Sequence, residues 1–432
     1  MSATLPNPSA KAAAAAAAGV SWSDRRWWVV GLLSLGMVIA YLDRVNLTSA
    51  MPDISKTFSL DKEQQGMAFS AFFWTYTLFQ IPSGMLVDRV GVRWPYFFGF
   101  LLWSVSSALT PMMTGLWALV AMRLLIGVGE SVVTPSSMRY ISMHFAERQR
   151  GLAVGLYMTG TKIGPAIGLP ISAYLVKDYG WQIMFVSVGI ASLVWLIPWM
   201  TLVKGSDIAA LPRSQRTESA AQKAAKVTTG QILRSPVMWG TIVGTYCYMY
   251  FVYYCMTWMP LYFKEKHGMS ITSMGWYAGV SFGGMAAVAA LAGWAADRMI
   301  AAGRDPVNVR KGFTIAGFVM ASTQTISVFT DSQQVMIFFT VFSLCGLGLA
   351  TANYWALTQT LIPGGSIALV VGIQNTAANL AGIVAPWLTG WLIQRTGAFD
   401  APIKAIGFWL VLGVFCYLFL VRRQYAPKPA AA

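Results

Sequence analysis

Charge is scarce in this chain: Asp, Glu, Lys and Arg make up 11% of its 432 residues. A soluble protein carries roughly 25%, so this supply cannot coat a globule of such size, and lipid must face most of the surface. Histidine is nearly missing, with only His144 and His267, and the four cysteines (Cys247, Cys255, Cys345, Cys416) form no CxxC or Cys/His ligand spacing. Metal catalysis therefore has little material, no metal site is expected, and the thiols read as small apolar side chains within membrane helices. No long polar domain and no nucleophile–base pair supports a membrane enzyme or a sensor. The expectation is a non-enzyme without a cofactor.

Apolar residues, 56% of the chain, gather into stretches of about 20, the length that crosses a bilayer as a helix. They predict an all-α membrane protein of 12 transmembrane helices, near 26–50, 64–87, 94–112, 115–138, 150–176, 181–203, 237–261, 272–295, 312–330, 335–361, 366–393 and 402–421. The net charge of +15 would suit nucleic acid, but its distribution does not. Arg25 and Arg26, Arg89 and Arg93, Arg148 and Arg150, the stretch Lys204–Arg234, Arg298 to Lys311, and Arg422 and Arg423 occupy alternate connections. That pattern is the positive-inside rule. It places both termini in the cytoplasm, makes the lipid bilayer the partner and excludes nucleic acid. The Ala-rich start lacks the basic flank of a secretory signal and reads as a disordered tail. Trp27 and Trp28, beside Arg25 and Arg26, read as part of an interfacial aromatic belt.

The one long polar stretch divides the chain. The expected units are a tail 1–25, a six-helix bundle 26–203, a cytoplasmic loop 204–236, a second six-helix bundle 237–423 and a tail 424–432. A repeat supports the division. Gly84-Met-Leu-Val-Asp88-Arg89-Val-Gly91-Val-Arg93 follows span 2, and a shortened copy with Asp297 and Arg298 follows span 8. Gly84 suits close helix approach, and Asp88 suits capping a helix end and pairing with a base on a neighbouring helix, a charge latch for a gate. A topogenic cytosolic turn is the plainer reading of Arg89 and Arg93, but it leaves the repeat unexplained. The ten-residue stretch resembles the loop 2–3 signature of the major facilitator superfamily, and the resemblance extends over residues 26–423. It implies the major facilitator fold, two pseudo-symmetric six-helix halves around a midplane site.

Ionisable residues inside the apolar spans are costly and usually functional. Asp43 and Arg44 adjoin in span 1; Arg123 and Glu130 lie two turns apart in span 4, with Gly127 leaving room between them. Burial favours a neutral carboxyl and a neighbouring guanidinium favours a charged one, so such a set suits a proton-coupling device. A static ion network joining the two helices is the alternative, although burying one stabilises weakly. YLDRVNL at 41–47, FSAFFWTYTLFQIPSG at 69–84 and RLLIGVGESVVTP at 123–135 resemble the anion:cation symporter branch of the superfamily. That resemblance implies an Arg44 that binds a substrate carboxylate, Asp43 and Glu130 that carry protons, and Arg123 bridging them. It further implies Tyr41, Tyr76, Trp355 and Asn375 as substrate contacts, with H+ as the coupling ion. Thr161 stands where some sugar-acid relatives have Gln, and Ala352 and Tyr354 replace smaller polar groups. Lys162 is an added cation, suited to a second acidic group, to snorkelling or to proton movement.

The expected function is proton symport of a small carboxylate, a sugar acid, by a monomer in a bacterial inner membrane. A proton-coupled exporter is the rival, because Gly160, Gly164, Pro165 and Gly168 partly match a span 5 exporter signature. Small residues at that spacing also serve helix packing.

Overall fold

The structure, a computed structural model, describes residues 24–145, 147–204, 229–330, 332–362 and 367–427. The expected N-terminal tail up to residue 23, the central loop from 205 to 228 and the last five residues lie outside them. Among the described residues every regular element is helical. The helices in chain order are α1 Arg25–Thr57, α2 Lys62–Val90, α3 Arg93–Leu109, α4 Leu116–Glu130, α5 Val133–His144, α6 Glu147–Leu193 and α7 Leu196–Leu202. After the central stretch come α8 Thr229–Arg234, α9 Pro236–Thr257, α10 Met259–His267, α11 Ile271–Ala301, α12 Pro306–Ser322, α13 Gln333–Leu361, α14 Ile367–Thr396 and α15 Asp400–Phe415.

Local chemistry sets the ends. Asp24 caps α1 by accepting from the Arg26 backbone at 3.0 Å, and Asp61 with Gln64 forms a capping box at the start of α2. α2 stops at Gly91, whose φ of 87° favours glycine. α6 is broken by a kink at Gly180, φ 86°, so it comprises two helices and holds two of the expected spans. The twelve expected stretches fall mainly on helix. Among the described residues seven helices are long and apolar enough to cross a membrane by length and composition, counting 149–202 as one. The others are too short, such as the 17-residue α3, or are diluted by polar residues, as α9 is by its tyrosines and the 29-residue α2 by its Gln, Thr, Ser and charged residues.

Helix packing places the chemistry. α1 packs along α6, α2 lies between α4 and α14, and α11 packs on α13 and α6. The pairs α2–α14 and α6–α11 therefore join the part before residue 205 to the part after 228. The joining contacts include the Thr48 hydroxyl donating to the Met256 carbonyl at 2.8 Å and the Lys62–Glu265 ion pair at 2.5 Å. Ring contacts of Phe69 with Trp258 and of Phe73 with Tyr253 (centroids 5.6 and 4.5 Å) belong to the same seam.

Three sequence expectations need correction. Trp27 is buried against Phe145, so only Trp28, 57% exposed, has the exposure of an interfacial belt residue. Gly84 makes no close approach: a Cβ there would meet only Pro135, at 3.9 Å, an ordinary contact. The room at Gly127 does not lie between Arg123 and Glu130 either, because the α2 backbone around Phe72 and Tyr76 fills it.

Candidate functional site

Glu130 ends α4 because a proline stands five residues further on. Pro135 has no N–H and its ring would strike the carbonyl of Ser131 in a continuous helix, so the chain breaks at 131–132 and resumes as α5. The break is tied to α2 through the Ser83 and Ser131 hydroxyls, 2.7 Å apart. Across from it, α1 runs uninterrupted past Asp43 and Arg44. The close packing of Gly127 on α2 brings Phe72 and Tyr76 between these two helices.

Four charged side chains meet there, each at most 7% exposed. Arg44 Nε donates to Glu130 Oε2 at 2.8 Å, and an Arg44 terminal nitrogen reaches the same oxygen at 2.8 Å. The Arg44 guanidinium also lies over the rings of Tyr41, Phe72 and Tyr76, at 4.4, 4.7 and 4.7 Å from their centroids. Such cation–π contacts are worth about 0.5–2 kcal/mol each and hold the guanidinium in place. Asp43 Oδ1 accepts from Asn46 at 3.1 Å and from Ser107 at 3.2 Å. Asn46 is fixed in turn by the Ser172 hydroxyl, 2.5 Å from its Oδ1. Asp43 Oδ2 and Glu130 Oε1 have no hydrogen-bond partner among the described residues. Each carboxyl thus keeps one oxygen available to a proton.

Arg123 does not bridge the two carboxyls in this conformation. It lies over the Phe72 ring at 5.3 Å, and its Nε and Nη1 have no hydrogen-bond partner among the described residues. Buried guanidinium donors left unpaired are expensive, so this group is set to receive a carboxylate. The paired state is therefore Arg44–Glu130, with Arg123 in reserve.

The remaining predicted contacts scatter around this centre. Tyr41 and Tyr76 flank Arg44. The Thr161 hydroxyl returns to its own helix at the Met158 carbonyl, 2.8 Å. Lys162 is half-buried and has no hydrogen bond or ion pair with a described residue. On the far side the Trp355 ring lies tilted against that of Tyr354, centroids 5.2 Å apart. Asn375 donates to Gln80 Oε1 at 2.8 Å and Asn379 donates to the same oxygen at 3.2 Å. Sequence reasoning misses Gln80 and Tyr253. Gln80 lies inside the stretch 69–84 as one more polar residue, and only the α2–α14 seam reveals that it joins the two parts.

The repeated loop motif pairs within its own surroundings. Asp88 is 3.5 Å from Arg139 of α5, and Asp297 is 3.2 Å from Arg310 of α12. Arg93 donates to the Met200 carbonyl at 3.0 Å, while Arg89 and Arg298 sit at helix ends, Arg298 over the Trp294 ring.

The exporter-like glycines face α1. A Cβ at Gly160 would meet Met37 and the Ser34 carbonyl at 2.8 Å, one at Gly164 would meet Tyr41 at 2.5 Å, and one at Gly168 would meet Leu42 at 3.1 Å. They are spacers for close packing.

Known proteins share this architecture. The chain is 28% identical to the D-galactonate transporter of Escherichia coli O6:H1, over 92% of this chain and 96% of that one. It is 26% identical to the probable galactarate/D-glucarate transporter of Bacillus subtilis, over 92% of each. A bacterial homologue of the human lysosomal transporter Spinster, solved inward-facing and unoccupied, superposes with a TM-score of 0.80 at 17% identity, covering 96% of this chain and 100% of that one. That last likeness speaks for the fold alone. The sequence profile of the Major Facilitator Superfamily matches residues 33–386, so, with its all-helical fold and its signature loop after α2, the chain belongs to the Major Facilitator Superfamily.

Proposed function

We propose that the protein imports a sugar acid (an aldonate, uronate or aldarate) together with protons across a bacterial inner membrane. Twelve spans in two six-helix bundles, 26–203 and 237–423, would rock about the α2–α14 and α6–α11 seams, with both termini cytoplasmic and the chain monomeric. The observation that carries this reading is the buried Arg44–Glu130 pair beside a second carboxyl, Asp43, and a second guanidinium with open donors, Arg123. The names of the relatives support the substrate class.

The chemistry is an exchange of partners. Before substrate binds, Arg44 holds Glu130. An incoming carboxylate competes for the same planar fork, which matches carboxylates in two-bond geometry. Glu130, released, is then left in a low-dielectric site, where it takes a proton or turns to the open donors of Arg123. Either move keeps buried charges compensated, which a bare carboxylate there would not. Asp43 is held by two neutral donors, Asn46 and Ser107, and its free oxygen offers a second proton position. Substrate and proton thus enter as a set because each removes the other's penalty. The aspartates of the two loop motifs, paired with Arg139 and Arg310, would latch the cytoplasmic ends.

The rival reading, export of drugs or metabolites by proton antiport, rests on Gly160, Gly164, Pro165 and Gly168, and the packing of the three glycines on α1 gives their spacing a plain structural reason. Right-side-out vesicles supply the test. Labelled D-gluconate or D-glucarate should accumulate under an inward proton gradient and leak back on adding a protonophore. Uptake indifferent to the gradient would sink the symport, and substrate-driven efflux against it would favour the exporter.

A further inference from the structure

Lys162 is a cation deep within an expected span that this exchange does not use. An intramembrane charge without a partner calls for one, and the helix geometry says where it is to be found. Ala166, one turn beyond Lys162, packs with Pro170 against Gly279 and Gly283 of α11. Residues four apart share a helix face, so Lys162 projects along the seam between α6 and α11, turned away from the Gly160–Gly164 face that meets α1. The two helices run antiparallel, since Gly275 meets Ala173 while Gly283 meets Ala166. Continuing that register brings Ala286 and Ala287 opposite Lys162. From 283 to 292 that stretch of α11 reads GGMAAVAALA, with no carboxylate to offer.

The depth of Lys162 follows from the same packing. Gly160 lies level with Ser34 and Met37, Gly164 with Val38 and Tyr41, and Gly168 with Leu42 and Val45. Arg44 is therefore level with α6 a little past Gly168, six to seven residues beyond Lys162, or about 10 Å of axial rise. A six-carbon dicarboxylate sets its carboxyl carbons five bonds apart, about 6 Å when extended. A hydrogen bond of about 2.9 Å at each end lengthens that reach to about 12 Å, which covers the axial offset, while the offset across α6 falls to the long, flexible lysine stem. A monocarboxylate of the same chain length would place only a neutral hydroxyl at the second cation.

We propose that Lys162 is a second anion anchor and that the substrate is a dianionic sugar acid, an aldarate, held by Arg44 at one carboxylate and by Lys162 at the other. The proposal rests on the sugar-acid reading and narrows it to one class. A lysine is apt for the second end, because its compact ammonium accepts a carboxylate at many angles while the Arg44 fork fixes the first.

The test is binding of D-glucarate and D-gluconate, which share a carbon chain and the hydroxyls at C2 to C5 and differ only at C6, to the purified full-length protein in nanodiscs by calorimetry. The expected result is a wild-type preference for glucarate of at least about ten-fold. Lys162→Met should collapse that ratio towards one, and Lys162→Arg should retain a preference for glucarate. Gluconate binding as tightly as glucarate to the wild type would overturn the proposal, whatever the variants do. So would a Lys162→Met protein that weakens for both ligands by the same factor. Should Lys162→Met fail to fold, the wild-type ratio and the Lys162→Arg protein still decide. Binding of neither sugar acid would overturn the underlying sugar-acid reading instead, so the two failures are distinguishable.

Discussion

The two parts of the chain bury polar groups of different kinds. Before residue 205 the core holds Asp43, Arg44, Arg123 and Glu130, which are all of the buried charged side chains among the described residues. After residue 228 the buried polar groups are amides and hydroxyls. Gln374 donates to Thr245 and Thr358 at 3.2 and 3.1 Å. Gln324 donates to Ser327 at 3.3 Å and accepts from Ser343 at 3.0 Å. Tyr248 and Thr351 share a hydrogen bond of 2.7 Å. Neutral donors and acceptors are fixed in kind, so a network of them holds one shape. Carboxyls and guanidiniums can trade partners and protons, so a network of them can hold several. Under the proposed function, coupling and carboxylate binding fall to the first part, and hydroxyl recognition or scaffolding to the second.

That division breaks or sharpens at defined residues. Arg44→Ala carries the largest expected effect. It removes the anion anchor and strands Glu130, a buried-pair breakage that costs about 3–5 kcal/mol; substrate binding by calorimetry should fall by at least about a hundred-fold, about 2.7 kcal/mol. Glu130→Gln keeps the shape and removes the titratable group. Gradient-driven uptake should drop far more than counterflow of labelled substrate, and an equal loss of both would make Glu130 a binding residue. Asn375→Ala, on the neutral side, should raise KM about ten-fold while leaving the pH dependence of uptake in place; a shifted pH profile would move coupling into the second part. Gln324→Leu should lower unfolding stability by about 1–3 kcal/mol through the hydroxyls left unpaired, with little change in KM. The smallest effect belongs to Lys62→Ala. A partly exposed pair such as Lys62–Glu265 is worth about 0.2–1 kcal/mol, so transport should change by a few-fold at most, and less at high salt.

Much of the fold is legible in the amino-acid sequence alone. Scarce charge and long apolar runs imply membrane helices, and the repeat GMLVDRVGVR carries the superfamily. Asp43, Arg44, Arg123 and Glu130 stand out because bilayer-buried charge is costly. Their pairing is not legible. Helix phase puts Arg123 and Glu130 on one face, but which guanidinium takes Glu130 depends on how α2 inserts Phe72 and Tyr76 between α1 and α4. Gln80 is invisible for the same reason: one polar residue in an apolar helix has no signature until the helix it meets is known. Gly160, Gly164 and Gly168 suit packing and an exporter motif equally well in sequence, and the structure adds that all three pack on α1. Trp27 misleads because position beside Arg25 and Arg26 says nothing of which side of α1 it occupies.

The central claim is that a proton enters because the substrate takes Arg44 from Glu130. Proteoliposomes loaded with a pH-sensitive dye, given external D-glucarate with no imposed gradient, test it most directly. The lumen should acidify in step with glucarate entry, and Glu130→Gln vesicles should exchange labelled glucarate without acidifying. Glucarate entry with no change in lumen pH, or a Glu130→Gln protein that acidifies like the wild type, would contradict the account.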